Sequence, residues 1–170
     1  MNEEAKIRAL KLFLRVYGVL SFVVFIPLFV GFMVQSPLLA EGGAFNWLIW
    51  NDVVCGGAMC HVPPMLFTIY IVWGGYFFVA ARDPRANVSF LNFTMWANLF
   101  HSSLMAVQAA MMMDHYWSKW LTDIPFLFIL SAGIYFLRPT AMEGSKSIAQ
   151  PNNAAGAAHG FAEARHGDAH

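Results

Sequence analysis

Four long stretches of the chain carry no charged residue, and they are separated by short polar breaks. They run from about Val16 to Val34, Met65 to Ala81, Val88 to Met113 and Ile124 to Leu137. A bilayer core of about 30 Å takes roughly 20 apolar residues of helix at about 1.5 Å each. The first three stretches have that length, and the fourth reaches it by taking in Trp120 and Leu121 or by thinning the bilayer locally. Their continuity excludes the alternating segments of roughly 10 residues that build a membrane barrel. The expected fold class is therefore all-α, a membrane-embedded four-helix bundle with a long outer loop between the first two helices. With 58% hydrophobic and 12% charged residues, the chain is too apolar for a soluble domain, in which about a quarter of residues are charged.

The cations give an orientation. Lys6, Arg8, Lys11 and Arg15 precede the first run, Arg82 and Arg85 lie between the second and third, and Arg138, Lys146 and Arg165 follow the fourth. Only Lys119 falls on the other side. Cytoplasmic loops retain Lys and Arg, so both termini are expected in the cytoplasm, with residues of about 35–62 and 114–119 outside. Trp47, Trp50, Tyr116, Trp117 and Trp120 then form an outer aromatic belt. The net charge is zero and no basic stripe is interleaved with aromatics, so the expected partners are the lipid bilayer and other membrane subunits, not nucleic acid. A secretory signal in place of the first helix is the competing reading, but its apolar core is longer than the usual 7–15 residues or so.

The outer loop contains Phe45-Asn46-Trp47-Leu48-Ile49-Trp50, a segment suited to lie in the headgroup region as a short interfacial helix. Further on, Cys55 and Cys60 enclose Gly56-Gly57-Ala58-Met59, flexible enough for a small disulfide loop in an oxidising compartment. Free thiols are the next alternative. With His61 the segment has CxxxxCH spacing, a widened form of covalent haem attachment. Cys55, Cys60 and His61 with His115 and the methionines Met59 and Met111 to Met113 are soft ligands of the kind copper takes. Neither pattern is specific, and no cofactor is expected.

The third run is chemically the richest. Thr94, Asn98, His101, Met105, Gln108, Met112 and His115 recur at spacings of four, three, four, three, four and three, one narrow helical stripe. Polar groups are costly in hydrocarbon, so the stripe is expected to face the other helices. One reading makes His101, flanked by Asn98 and Gln108, a protonatable group in a relay that His115 continues outward. The other has these groups hydrogen-bond to Tyr17, Ser21, Thr68, Tyr70, Ser131 or Tyr135 and fix helix register at about 0.6–2 kcal/mol each. A buried bis-His haem is excluded because no other run contains a His.

Glycines at 18, 31, 74, 75 and 133 favour close helix approach. Asp83-Pro84 or Asn87 is placed to cap the third helix and Asp123 the fourth, with Pro125 in its first turn. After Arg138-Pro139 the composition turns small and polar. Residues 1–141 are thus expected to form the transmembrane domain and 142–170 a disordered cytoplasmic tail, in which His159, His166 and His170 form no preorganised site.

Ala80-Ala81-Arg82-Asp83-Pro84-Arg85-Ala86-Asn87, followed by Trp96, His101, Met105, Val107-Gln108-Ala109 and Asp123-Ile124-Pro125, resembles an uncharacterised bacterial family of small four-helix membrane proteins, a domain of unknown function. The resemblance covers about residues 65–138. It implies the architecture and a bacterial inner membrane, and transfers no catalytic residue. No G-x-S-x-G, H-E-x-x-H or phosphate loop is present. The expected function is a non-enzymatic accessory or scaffold subunit. The alternatives are a redox or metal-binding protein using the outer Cys/His residues, and a small proton-coupled transporter using His101, although run one lacks the embedded Glu on which small four-helix exporters depend.

Overall fold

The computed structural model describes residues 2–40, 42–45 and 62–139. Expectations for Cys55, Cys60, His61, nearly all of the interfacial segment and the tail from 140 onward fall outside those residues. The described fold is all-α: α1 Glu3–Met33, α2 Val62–Arg82, α3 Val88–Met111, a short α4 Met113–Tyr116, a 3-10 turn Trp117–Trp120, and α5 Asp123–Leu137.

Helix α1 begins at Glu3, well before the apolar run at Val16, because the basic segment has its own apolar face. Ile7, Leu10, Leu14, Tyr17, Gly18 and Ser21 are all buried at helical spacing. The Asn2 side chain accepts the Ala5 N–H at 2.9 Å, and Glu3 and Glu4 sit in the first turn where the helix dipole favours anions. At 31 residues the helix is about 46 Å long, more than a bilayer core needs.

One core joins all four long helices. Leu10, Leu14 and Tyr17 of α1 meet Phe77, Ala80 and Ala81 of α2, Leu91 and Met95 of α3, and Leu130 and Ile134 of α5. These residues come from the start of α1 and α3 and the end of α2 and α5, so successive long helices run up and down. This level is called the basic end below, after its Lys and Arg residues. Towards the other, far end a second cluster joins α1 and α2, with Leu28 and Phe67 surrounded by Phe25, Phe29, Phe32 and Leu39.

Glycines set the helix spacing at three of the expected positions. A Cβ on Gly74 would stand 2.8 Å from the Ser21 Cβ, and one on Gly18 would stand 3.1 Å from the Gly74 carbonyl oxygen, so α1 and α2 touch backbone to backbone. Gly133 of α5 lies under the Phe13 ring, which would come within 2.1 Å of a Cβ there. Gly31 instead accommodates Leu39 of the following loop, and Gly75 faces open space.

Three stretches are long and apolar enough to cross a membrane: Glu3–Met33, Pro64–Arg82 and Trp117–Leu137. The last includes Trp120 and Leu121, the residues by which the fourth run was expected to reach membrane length. Helix α3 does not meet the same measure, contrary to the equal treatment of all four runs above. It has 24 residues and no charge, but Asn92, Thr94, Asn98, His101, Ser102, Ser103 and Gln108 lower its hydropathy.

Two capping expectations change in detail. Asn87 is the residue before α3, yet its side chain donates back to the Asp83 carbonyl at 2.8 Å, while the Asp83 carboxylate accepts the Arg85 and Ala86 N–H groups at 3.1 and 3.2 Å. Asp83 therefore builds the turn and leaves the helix uncapped by a side chain. Asp123 is the first residue of α5 and Thr122 occupies the cap position, because the Asp123 carboxylate is engaged elsewhere.

Candidate functional site

The residues of the expected stripe do not share one environment. Thr94 and Asn98 are fully buried, His101 is half-buried, and Gln108 is exposed. Helix α3 ends at Met111, and Met112 has φ −130° and ψ 51°, outside helical geometry. His115 therefore sits on α4, beyond a break, so a stripe extrapolated at constant spacing past Met112 is not continuous. The side chain of His115 lies outside the description. The buried line of α3 instead runs through Leu91, Thr94, Met95, Asn98, Ser102 and Ala109.

Three of the buried polar groups satisfy themselves within their own helix. Asn98 Nδ2 donates to the Thr94 carbonyl at 2.8 Å, Ser102 Oγ to the Asn98 carbonyl at 2.7 Å, and Ser131 Oγ to the Leu127 carbonyl at 3.0 Å. Such back-bonding removes the cost of a bare hydroxyl in an apolar setting without requiring a partner helix. Other bonds cross between helices. Trp73 Nε1–H of α2 donates to Thr94 Oγ1 at 2.9 Å, and the Tyr17 hydroxyl of α1 donates to the Phe126 carbonyl of α5 at 3.2 Å. Of the partners expected from the sequence, Tyr17 does make an interhelical bond, but not to the α3 stripe.

Trp73 is the partner that the sequence reading missed. Its ring stacks on Tyr70 at 6.1 Å and on Phe93 at 5.7 Å, and Tyr70 stacks in turn on Phe25 at 4.6 Å. This ladder crosses α1, α2 and α3. The signal was available: a Trp in the middle of an apolar run brings an N–H that needs an acceptor.

Near the far end of the helices lies the densest polar group. Lys119 of the 3-10 turn is buried, with 4% of its surface exposed, and its Nζ meets Asp123 Oδ2 at 2.5 Å. His101 of α3 lies within electrostatic range of both charges, and Tyr70 of α2 within range of Asp123. Next to Lys119, the buried Ser118 hydroxyl has no hydrogen-bond partner among the described residues, whereas its carbonyl accepts the Thr122 hydroxyl at 3.0 Å. Three long helices and the 3-10 turn thus bring Tyr70, His101, Lys119 and Asp123 into one neighbourhood. In the sequence Lys119 counts as an outside cation, and Asp123 as a cap and as part of the resemblance motif, with no link between the two. Their i, i+4 spacing is the signal that would have paired them.

Chemically this group can hold a charge pair and present one titratable imidazole beside it. It has no nucleophile paired with a base. Among the described residues, no three His, Cys, Asp or Glu side chains come together as a metal site. The Cys55, Cys60 and His61 candidates lie outside the description, and with them the haem and copper alternatives.

No curated protein and no solved structure matches this chain. A family model does match, over residues 6–146, well beyond the segment on which the resemblance was read. The chain belongs to that family, the family of unknown function DUF6632.

Proposed function

We propose that this protein is a small integral membrane protein acting as a non-enzymatic accessory or scaffold subunit, in the inner membrane of a bacterium with both termini in the cytoplasm. The observation that carries the reading is the fate of the polar groups of α3. Thr94, Asn98 and Ser102 are buried and hydrogen-bonded inside the chain, with Trp73 donating across to Thr94. The Trp73–Thr94 bond fixes the register of α2 against α3, and the back-bonds of Asn98 and Ser102 satisfy those groups within their own helix. Exposed Val16, Val19, Val23, Ile69, Val72, Phe93, Phe100 and Ile129 cover the outside of the long helices, which suits contact with acyl chains or with apolar helices of a partner. Helix α3 crosses the membrane in this reading because Thr94, Asn98 and Ser102 on its polar side are turned inward. Co-purification from native membranes in mild detergent is the test. A stoichiometric membrane partner is expected, and a chain that always isolates alone contradicts the scaffold role.

A second reading is favoured by one observation, the lie of His101 within electrostatic range of the Lys119–Asp123 pair. A proton-coupled transporter would use His101 as its protonatable group. Replacing His101 with Leu separates the two: the scaffold reading expects reduced assembly or thermal stability, and the transport reading expects a stable protein whose proton flux in proteoliposomes is lost.

A further inference from the structure

On one flank of α1, residues 4, 8, 11, 15, 19, 22 and 26 follow one another at spacings of four, three, four, four, three and four. They are Glu4, Arg8, Lys11, Arg15, Val19, Phe22 and Ile26, so the flank is polar and cationic along its first half and apolar along its second. Arg8 and Arg15 are exposed and Lys11 is half-buried. At the foot of the flank Glu4 Oε1 accepts from Arg85 Nη2 at 3.1 Å, which brings the α2–α3 turn, with exposed Arg82 and Arg85, to the same side. Further up, Phe22 packs against Phe78 of α2 at 5.7 Å, so the flank follows the α1–α2 seam. Glu4 is the single anion on this flank of α1, against Arg8, Lys11 and Arg15, and it is engaged by Arg85.

We infer that this seam is a binding site for an anionic phospholipid, with the phosphate headgroup held by Arg8, Lys11, Arg15 and Arg82 and an acyl chain lying along Val19, Phe22 and Ile26. The dimensions agree. From Arg15 to Ile26 is about 16 Å of helix, close to half the roughly 30 Å hydrocarbon core, the depth of one leaflet. The order of chemistry along the axis, cations and then apolar side chains, is the order of a lipid from headgroup to tail. Anionic headgroups attract each basic residue near the surface by an amount worth about a five-fold change in affinity. Zwitterionic lipid has the same tails and no net charge, so the cations discriminate between the two. Lys6 lies about 140–180° around the helix from Lys11, Arg8 and Arg15, and takes no part.

The inference rests on the membrane reading, and the experiment keeps the two apart. The full-length protein is reconstituted into phosphatidylcholine vesicles with and without phosphatidylglycerol, and lipid retention is measured by native mass spectrometry after mild detergent extraction. The intact protein is expected to retain phosphatidylglycerol over phosphatidylcholine by at least about ten-fold. The triple variant R8Q/K11Q/R15Q should lose most of that preference, R8K/R15K should keep it, and K6Q should leave it unchanged. Entry into both vesicle types without preference, or equal loss in K6Q, overturns the lipid site and leaves the membrane reading standing. Failure to enter either vesicle overturns both. Retention of an acidic polypeptide on these cations, not displaced by phosphatidylglycerol, also overturns it in favour of a protein partner.

Discussion

The two ends of the helices are built in opposite ways. At the basic end the interior is apolar and continuous across α1, α2, α3 and α5, through Leu10, Leu14, Ala80, Ala81, Leu91 and Ile134. Its charges lie towards the rim, where Arg85 meets Glu4, Arg138 bonds to Asn92, and the Arg138 guanidinium lies 5.6 Å from the Tyr135 ring centroid. Near the far end the arrangement is inverted. The Lys119 ammonium is buried against the partly exposed Asp123 carboxylate, while Met111, Met112 and Met113 are exposed, Met111 by 80%. Apolar burial outside water accumulates with area and tolerates small errors, but a buried ion pair is stable only while both partners are present. The basic end therefore has the more continuous packing across the long helices, and the far end carries the buried charge among the described residues.

The largest effect is expected where that difference is sharpest. Asp123→Asn removes the carboxylate that Lys119 meets at 2.5 Å, costing about 3 kcal/mol, read as a lower midpoint in detergent unfolding. Pairing it with Lys119→Met should recover much of the loss. If Asp123→Asn and an exposed control such as Glu4→Gln behave alike, the far end is no more specific than the rim. Next is Gly74→Val, which drives a branched side chain against Ser21 and separates α1 from α2. The expected cost is about 1–3 kcal/mol by the same assay.

Trp73→Phe comes third, because it keeps the stacking but removes the N–H that Thr94 accepts. A loss of about 0.6–2 kcal/mol is expected, and Thr94→Val in the same background should add little more. No loss in Trp73→Phe would mean that helix register is set by ring packing alone. The smallest change is Gly75→Ala. That position faces open space, so the variant should match the parent or gain up to about 1 kcal/mol from helix propensity.

Sequence alone carried the helices and their order because absence of charge over membrane length is a strong signal that needs no tertiary information. The start of α1 was misplaced because charge at Lys6, Arg8, Lys11 and Arg15 concealed the helical spacing of Ile7, Leu10 and Leu14. The stripe was legible only as far as α3 continues. Periodicity extrapolates a helix indefinitely and does not register the break at Met112, which no Gly or Pro announces. Thr94 and Asn98 are buried as their spacing suggested, whereas the exposure of Gln108 depends on which neighbours α3 has at that height, a tertiary fact. The polar neighbourhood around Asp123 draws on α2, α3, α5 and the 3-10 turn between residues 117 and 120, so no local window contains it.

The account depends most on the membrane crossing that puts the basic end on one side. Single-cysteine accessibility tests it directly: in a background without Cys55 and Cys60, Arg85→Cys and Trp117→Cys are treated with a membrane-impermeant maleimide in sealed right-side-out and inside-out vesicles. Trp117→Cys is expected to label only from the periplasmic side and Arg85→Cys only from the cytoplasmic side. Labelling of both positions from the same side, or of both from either side, contradicts the account.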